Sequence, residues 1–162
     1  MADWRCIAIC QHICYLYDMV VTIDTNVLFQ ALYHSGGASH AIIGLVRDGG
    51  PRLALSHQVL LEYEAVLTRP KNLKKFGRDR DDVLMVLRFL AMVSEKFEPR
   101  YLFRPNLKDE DDNMFVELAV VSQSRYLVTN NVRDFRRNDL IFMSFAAVTP
   151  SDFMVEWRKQ NG

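Results

Sequence analysis

Carboxylates that follow short apolar segments are the residues of this sequence whose type and spacing suggest chemistry. Asp24 comes directly after the apolar segment 20–23, and Asp134 lies a few residues beyond another at 126–128. Ligands of parallel α/β sheets bind in the crevice beyond the carboxyl ends of the strands, which is where both aspartates are predicted to lie. Asp24 is equally a suitable N-cap for the helix that follows, and Asp134 alone is a loop aspartate. The residues by themselves leave both interpretations open.

A run of four acids occupies positions 109–112, directly before an apolar helical pattern. Asp109 and Asp112 are spaced as in a capping box, and the helix dipole favours negative charge at this end. Capping does not explain the number of acids, because two carboxylates about 4 Å apart repel by roughly 4 kcal/mol at an effective dielectric constant of about 20. A hard divalent cation with oxygen ligands relieves that repulsion, so the run suggests a metal site.

Two further acids, Glu62 and Glu64, lie in a helix rich in valine and leucine. Glu62 shares its stripe with Val59 and Val66, and a carboxylate on an apolar stripe is costly unless it is paired or bound to a metal. Glu64 also has leucine neighbours. Periodicity therefore does not indicate which of the two glutamates is the functional one. Each can equally be an ordinary, partly exposed acid on a helix.

The elements that position these acids alternate between apolar strands and helical patterns from Met19 onward, which predicts an α/β domain with a parallel sheet. Strands are predicted at 20–23, 53–55 and 126–128 and within 141–148, with a short strand or extended link at 101–103. Helices are predicted from 24 to a break at 35–37, over 38–47, from the N-cap Ser56 to 67, over 82–93, over 109–122, and from 149 onward.

The composition is that of an ordinary soluble globular domain. The chain has 162 residues, 49% of them hydrophobic and 25% charged, which fits one domain and excludes global disorder. Twenty basic and twenty acidic residues cancel, so a nucleic acid would have to bind a local basic patch. The basic cluster is Arg69, Lys71, Lys74, Lys75, Arg78 and Arg80, with Asp79 as its one acid. A solvated helix face explains such a cluster equally well.

The first 18 residues are predicted to be an N-terminal extension of the domain. They hold all three cysteines, Cys6, Cys10 and Cys14, whose spacing suits one helical face better than a zinc site and provides no disulfide framework. No signal-peptide cleavage site follows them, and no apolar run reaches the length of a membrane span. We therefore expect a cytoplasmic protein without a membrane contact.

Four segments in this order resemble the PIN-domain family. They are Ile23-Asp24-Thr25-Asn26, Glu62 in the helix after the second strand, residues 104–113 (RPNLKDEDDN) and residues 128–135 (VTNNVRDF). The resemblance covers about residues 19–152 and implies a PIN-like three-layer α/β/α sandwich with a central, mainly parallel sheet, here a domain of residues 19–162. Within the family, the sequence is most similar to the VapC-type toxin ribonucleases.

Carried over residue by residue, the resemblance implies a site of four acids. Asp24, Glu62, Asp112 and Asp134 match the catalytic, metal-binding acids, and the match at Glu62 favours it over Glu64. Many family members have an aspartate where Asn131 stands, and Asp134 matches the acid of a variant pattern. Asn26, Asp109, Thr129 and Asn131 match supporting polar residues.

The implied activity is hydrolysis of single-stranded RNA with Mg²⁺ or Mn²⁺, which would polarise a phosphodiester and lower the pKa of the attacking water. The implied partners are an antitoxin protein over the acidic cleft and a second copy of the chain, through the helices at 38–47 and 82–93. The candidate RNA-binding residues are Arg69, Lys71, Lys74, Lys75, Arg133 and Arg136.

Two other classes of protein remain open. A phosphohydrolase of the haloacid dehalogenase type also begins with a strand-end aspartate, but it requires a second aspartate where Asn26 stands. A PIN-fold binding protein without catalytic activity would use the acids only as helix caps. Such a protein would gain no stability from Mn²⁺, whereas a metal site at about 100 times its dissociation constant gains about 2.7 kcal/mol.

Overall fold

A single parallel sheet organises the described part of the chain. The computed structural model of the protein describes residues 19–99, 113–135 and 145–161. Within them the strands are β1 (Val20–Ile23), β2 (Arg52–Leu55), β3 (Glu95–Lys96), β4 (Tyr126–Val128) and β5 (Ala146–Val148). They are ordered β3-β2-β1-β4-β5, and every neighbouring pair is parallel. The predicted α/β fold with a central parallel sheet is confirmed.

Seven helices flank this sheet in the described ranges. They are α1 (Thr25–Tyr33), α2 (Ala38–Arg47), α3 (His57–Leu67), α4 (Pro70–Phe76), α5 (Arg80–Val93), α6 (Asn113–Val121) and α7 (Pro150–Asn161). Local sequence sets their ends: the Ser56 hydroxyl caps α3 by accepting from the Val59 N–H, and Gly77 ends α4 in the left-handed region at φ 62°. None of these described helices has both the length and the hydropathy of a membrane span.

The order of the strands reverses its direction between β1 and β4, and this position is the topological switch point of the sheet. From β1 the chain proceeds outward through β2 to β3, and then returns to the opposite side of β1 to form β4 and β5. Right-handed crossovers place the connecting helices on opposite faces for the two directions, which opens a crevice at the carboxyl ends of the two central strands. Ile23 pairs with Val128 in the register, so residues 24 and 129 leave the sheet side by side.

The buried core explains why β1 and β4 lie at the centre. All four residues of β1 and all three of β4 are buried, which is typical of strands covered on both faces. In contrast, β3 and β5 are the two edge strands of the sheet. The residues of β5 are exposed or half-buried, and β3 consists of two polar residues. The switch point therefore lies between the two strands of the sheet that are buried along their whole length.

Two elements differ from the sequence-based expectation. Helix α4 is absent from the predicted helices; it begins at Pro70, whose missing N–H costs nothing at the first position of a helix. The edge strand β3 was not predicted, because the polar pair Glu95 and Lys96 has no apolar alternation. The predicted segment 101–103 and the extension 1–18 lie outside the described residues.

Candidate active site

The carboxylate of Asp24 is the centre of the site. The residue is 4% exposed, follows β1 directly and caps α1. Its Oδ1 accepts the backbone N–H of Asn26 at 3.3 Å, and its Oδ2 accepts the Asn26 side-chain amide at 2.5 Å and the Thr129 hydroxyl at 2.6 Å. Burial raises the pKa of Asp24, while these hydrogen bonds oppose the shift. Asp24 therefore caps α1, as the sequence suggested. Capping uses only Oδ1, although the whole carboxylate is buried.

Asn26 and Thr129 connect the two central strands around this carboxylate. The Thr129 side chain is fully buried, and its hydroxyl accepts the Asn26 amide at 3.4 Å while donating to Asp24. The Asn26 side-chain oxygen accepts the backbone N–H and the side-chain amide of Asn130, each at 3.2 Å. Two of the four predicted supporting residues, Asn26 and Thr129, thus contact Asp24 directly and fix the orientation of its carboxylate.

A chain of hydrogen bonds brings Asp134 to the same edge of the sheet. The backbone N–H of Asn131 donates to the Thr129 hydroxyl at 3.0 Å, and the Asn131 side-chain amide donates to a carboxylate oxygen of Asp134. The backbone N–H of Asp134 donates in turn to the Asn131 carbonyl at 3.2 Å. Asp134 is half-buried. The structure therefore links Asp134 to Asp24 through Asn131 and Thr129.

Helix α3 is attached to the site by Tyr63. This buried phenol donates to the carbonyl of Ile23, the residue before Asp24, at 2.5 Å. Burial raises the pKa of Tyr63, and the charge of Asp24 raises it further. Glu62 precedes Tyr63 and is half-buried, whereas Glu64 forms an ion pair with Arg80 at 3.0 Å near the surface.

The donor chemistry of Asp24 suits a divalent cation. It is a hard oxygen ligand of the kind that Mg²⁺ and Mn²⁺ prefer, and among the described residues no lysine or arginine compensates its buried charge. Across 19–99, 113–135 and 145–161, no three His, Cys, Asp or Glu side chains form a group that could hold a metal ion. The predicted third acid Asp112, its companion Asp109 and the predicted RNA contact Arg136 lie outside those ranges.

Helix α6 contributes two buried polar residues that are not among the predicted site residues, although Asn113 is the last residue of the segment 104–113. Glu117 and Asn113 are 4% and 7% exposed, and α6 packs against β1, β2 and β4. Within the described residues, the Asn113 side-chain oxygen is buried and has no hydrogen-bond partner. The sequence contains a signal for these two buried polar residues, because they are spaced by four on a helix whose other side chains are all apolar. Glu117 and Asn113 thus place buried polar groups on the helix that packs against the two central strands.

An open cleft of about 610 Å³ adjoins the site on the side of α1 and α7. We call it the α1–α7 cleft; its lining includes Asn26, Gln30, His34, Ser39, Asn131 and Ser151. Among the described residues that line it there is no Asp, Glu, Lys or Arg. The cleft thus presents neutral hydrogen-bonding groups immediately next to the acidic centre.

The basic cluster lies on α4 and its flanks. Arg69, Lys71, Lys74, Lys75 and Arg78 are exposed and, in the part of the chain that the structure describes, form no ion pair. Arg80 is instead paired with Glu64. Because α4 packs against α1, these cations stand beside the helix that Asp24 caps. Arg133 is exposed next to Asp134.

Comparison with known proteins agrees with this architecture. The family model of the PIN domain matches residues 20–133, which include β1, the switch point and Asp24. The chain therefore belongs to the PIN-domain family, whose members are in general nucleases. Searches of curated proteins and of solved structures found no match.

Proposed function

We propose that this protein is a metal-dependent endoribonuclease that hydrolyses phosphodiester bonds in single-stranded RNA. The observation that carries the proposal is the buried Asp24 carboxylate, which lies at the switch point of a PIN-domain sheet and has no basic partner among the described residues. In this proposal Asp24, Glu62, Asp112 and Asp134 are the catalytic acids and the ligands of Mg²⁺ or Mn²⁺. The RNA contacts are Arg69, Lys71, Lys74, Lys75, Arg133 and Arg136.

The contacts of Asp24 support a ligand role. Thr129 and Asn26 both donate to Oδ2, so that oxygen is held in one orientation. Oδ1 accepts the backbone N–H of Asn26 at 3.3 Å, a longer contact than either one to Oδ2, so Oδ1 is the more weakly held of the two oxygens. When bound, a divalent cation supplies Lewis-acid activation of the phosphodiester and of the attacking water. Thr129, Asn26 and Asn131 then act as positioning residues for the acids.

The resemblance to VapC-type toxins extends the proposal to a toxin–antitoxin pair in the cytoplasm. An antitoxin would lie over the carboxyl ends of β1 and β4 and present an arginine to the catalytic carboxylates there. Expression of the chain should then arrest growth, and Asp24→Asn should relieve the arrest. Unchanged growth on expression of an actively cleaving protein would remove the toxin role and leave the nuclease.

A second copy of the chain is the other proposed partner. Of the two helices expected to form the interface, α5 exposes Met85 (65%) and Met92 (74%), whereas α2 exposes no large apolar side chain. Leu61 on the neighbouring α3 is 52% exposed, so the exposed residues support an association through α5 and α3. Light scattering of the full chain at micromolar concentration tests it. A monomer mass at every concentration would contradict the dimer.

The metal-dependent activity is tested by incubating the full chain with a mixed-sequence single-stranded RNA. We expect cleavage with Mn²⁺ or Mg²⁺, loss of cleavage with a chelator, and recovery when excess metal is added back. Absence of cleavage under all these conditions, from a folded protein, would overturn the proposal. That result would instead favour a PIN-fold binding protein without catalytic activity.

A further inference from the structure

We infer that the outer surface formed by α1 and α4 is a stacking track that guides single-stranded RNA into the site. The inference rests on the proposed function, because it names how the substrate of that same site approaches. It is carried by four rings, Phe29, Tyr33, His34 and Phe76, which we call the ring strip. Three features support it: the sequence of ring contacts, the cations around them, and the continuity of α1 with Asp24.

The rings of the strip form a continuous series. The Tyr33 and His34 centroids are 4.4 Å apart, those of Phe29 and Tyr33 6.1 Å, and those of Phe29 and Phe76 4.9 Å. Phe29 and Phe76 are half-buried, whereas Tyr33 is 46% exposed and His34 is exposed. The inner rings therefore fix the outer ones, which present aromatic surface to solvent. Bases of every type stack on such surfaces, so the strip suits a single strand of mixed sequence.

Cations surround the strip on the α4 side. The Lys75 ammonium lies 5.7 Å from the centroid of the Phe29 ring, and Lys71 and Lys74 are exposed on the same helix. Helix α4 contains no acid, and its three lysines form no ion pair within the described ranges. Unpaired lysines beside aromatic rings supply the two components of single-strand binding, phosphate contacts and base stacking.

The strip leads to the acidic centre along α1. Asn26, which binds Asp24, and Gln30 and His34 all line the α1–α7 cleft, one helical turn after another. With a rise of about 1.5 Å per residue, Tyr33 stands about 10 Å along the helix from Asn26. A strand stacked on Tyr33 would thus enter a neutral polar cleft before it reaches Asp24. The cleft avoids the repulsion that additional carboxylates would exert on phosphates.

The surface fits RNA better than a protein partner. A protein interface centres on a contiguous apolar patch from which charged residues are depleted. Here the exposed rings of the strip are Tyr33 and His34, and the exposed lysines lie on α4, which packs against α1. The positive charges of these lysines complement a phosphate backbone, so we assign the surface to a nucleic acid and not to a protein.

Binding measured without cleavage tests the track independently of the activity. The wild-type full chain, kept in chelator, is titrated against a fluorescently labelled mixed-sequence single-stranded RNA. We expect Tyr33→Ala and Tyr33→Leu to weaken binding about tenfold, and Tyr33→Phe to retain it, because stacking needs the ring and not the hydroxyl. Lys75→Ala should reduce the slope of log K against log salt by about 0.7. Val155→Ala and Arg158→Ala, at exposed positions of α7, are the matched controls and should bind as wild type.

The outcomes separate the track from the nuclease. If the wild type cleaves RNA while the Tyr33 and Lys75 variants bind and cleave like it, the track is wrong and the proposed function stands. If RNA binds with the expected Tyr33 and Lys75 dependence but is never cleaved, the track stands and the catalytic proposal fails. If Tyr33→Leu binds as tightly as Tyr33→Phe, the surface recognises apolar bulk as a protein partner would, and the track is overturned.

Discussion

The Thr129 hydroxyl donates a hydrogen bond of 2.6 Å to Oδ2 of Asp24, although the two residues are 105 positions apart in the chain. The pairing of Ile23 with Val128 makes this contact possible, because it brings the ends of β1 and β4 side by side. Both side chains are buried, so the bond forms where water competes poorly. The switch point of the sheet and the orientation of the candidate catalytic carboxylate are thus one structural feature.

Thr129→Val should therefore damage the site more than its small change in size suggests. Removing the hydroxyl deprives Asp24 of a donor and the Asn131 N–H of its acceptor. We expect a loss of about 1 to 3 kcal/mol in the free energy of unfolding, measured by urea denaturation. Cleavage should fall about 10- to 100-fold, as for other residues that orient metal ligands.

The matched control is Thr22→Val. Thr22 is equally buried on β1, but its hydroxyl hydrogen-bonds Ser124 at 2.9 Å and not the site. It should lose stability with little loss of cleavage by the remaining folded protein. Equal losses of activity in the two variants would show that Thr129 acts only through stability.

Asn26→Asp tests whether the side chain of Asn26 donates its hydrogen bond to Asp24, because the substitution removes the donor and keeps the shape of the side chain. The substitution replaces an amide that donates to Asp24 at 2.5 Å with a second carboxylate. Repulsion between the two groups should lower the metal-free stability, measured by urea denaturation, and excess Mn²⁺ should restore part of it. Stability equal to that of the wild type in chelator would contradict the assigned direction of this hydrogen bond.

Tyr63→Phe tests how α3 supports the end of β1. The lost hydroxyl donates to the Ile23 carbonyl in a fully buried position, so we expect a stability loss of about 1 to 3 kcal/mol. Because Ile23 precedes Asp24, kcat should fall while the fold persists. Full activity together with reduced stability would limit Tyr63 to a role in packing.

Much of the fold could be predicted from local sequence. The strand over 20–23 is four consecutive apolar or β-branched residues, and the helices over 38–47 and 57–67 are bounded by glycine, proline or a serine cap. These signals are local, so a single sequence displays them. Helix α4 and strand β3 gave weaker signals, because one is short and lysine-rich and the other has two polar residues.

The site could be predicted only in part. Asp24 and Asp134 are candidates because each follows an apolar segment, and the family resemblance adds Thr129 and Asn26. The hydrogen bonds among them depend on the pairing of strands more than 100 residues apart, which periodicity does not encode. Glu117 is an acid on an otherwise apolar helix, a pattern that the sequence displays, but the longer acidic run at 109–112 gives a stronger signal for a site.

Metal binding should be visible as thermal stabilisation of the folded chain. At about 100 times the dissociation constant, Mn²⁺ should add about 2.7 kcal/mol, which corresponds to an increase in Tm of roughly 5 to 10 °C for a domain of this size. Differential scanning fluorimetry with Mn²⁺, with Ca²⁺ and with chelator measures it. An unchanged Tm in saturating Mn²⁺ would leave Asp24 as a helix cap and nothing more.

The most direct test of the central claim compares Asp24→Asn with Asp48→Asn in RNA cleavage. Both substitutions remove one carboxylate charge at constant shape, but Asp48 is exposed and pairs with Arg47 at 2.8 Å, away from the strand ends. We expect Asp24→Asn to lose cleavage by more than about 100-fold while the metal-free protein stays folded, because removal of a buried charge offsets the loss of one hydrogen-bond acceptor. Asp48→Asn should cleave like the wild type. Cleavage retained by a folded Asp24→Asn protein would contradict the claim that this carboxylate is the catalytic centre.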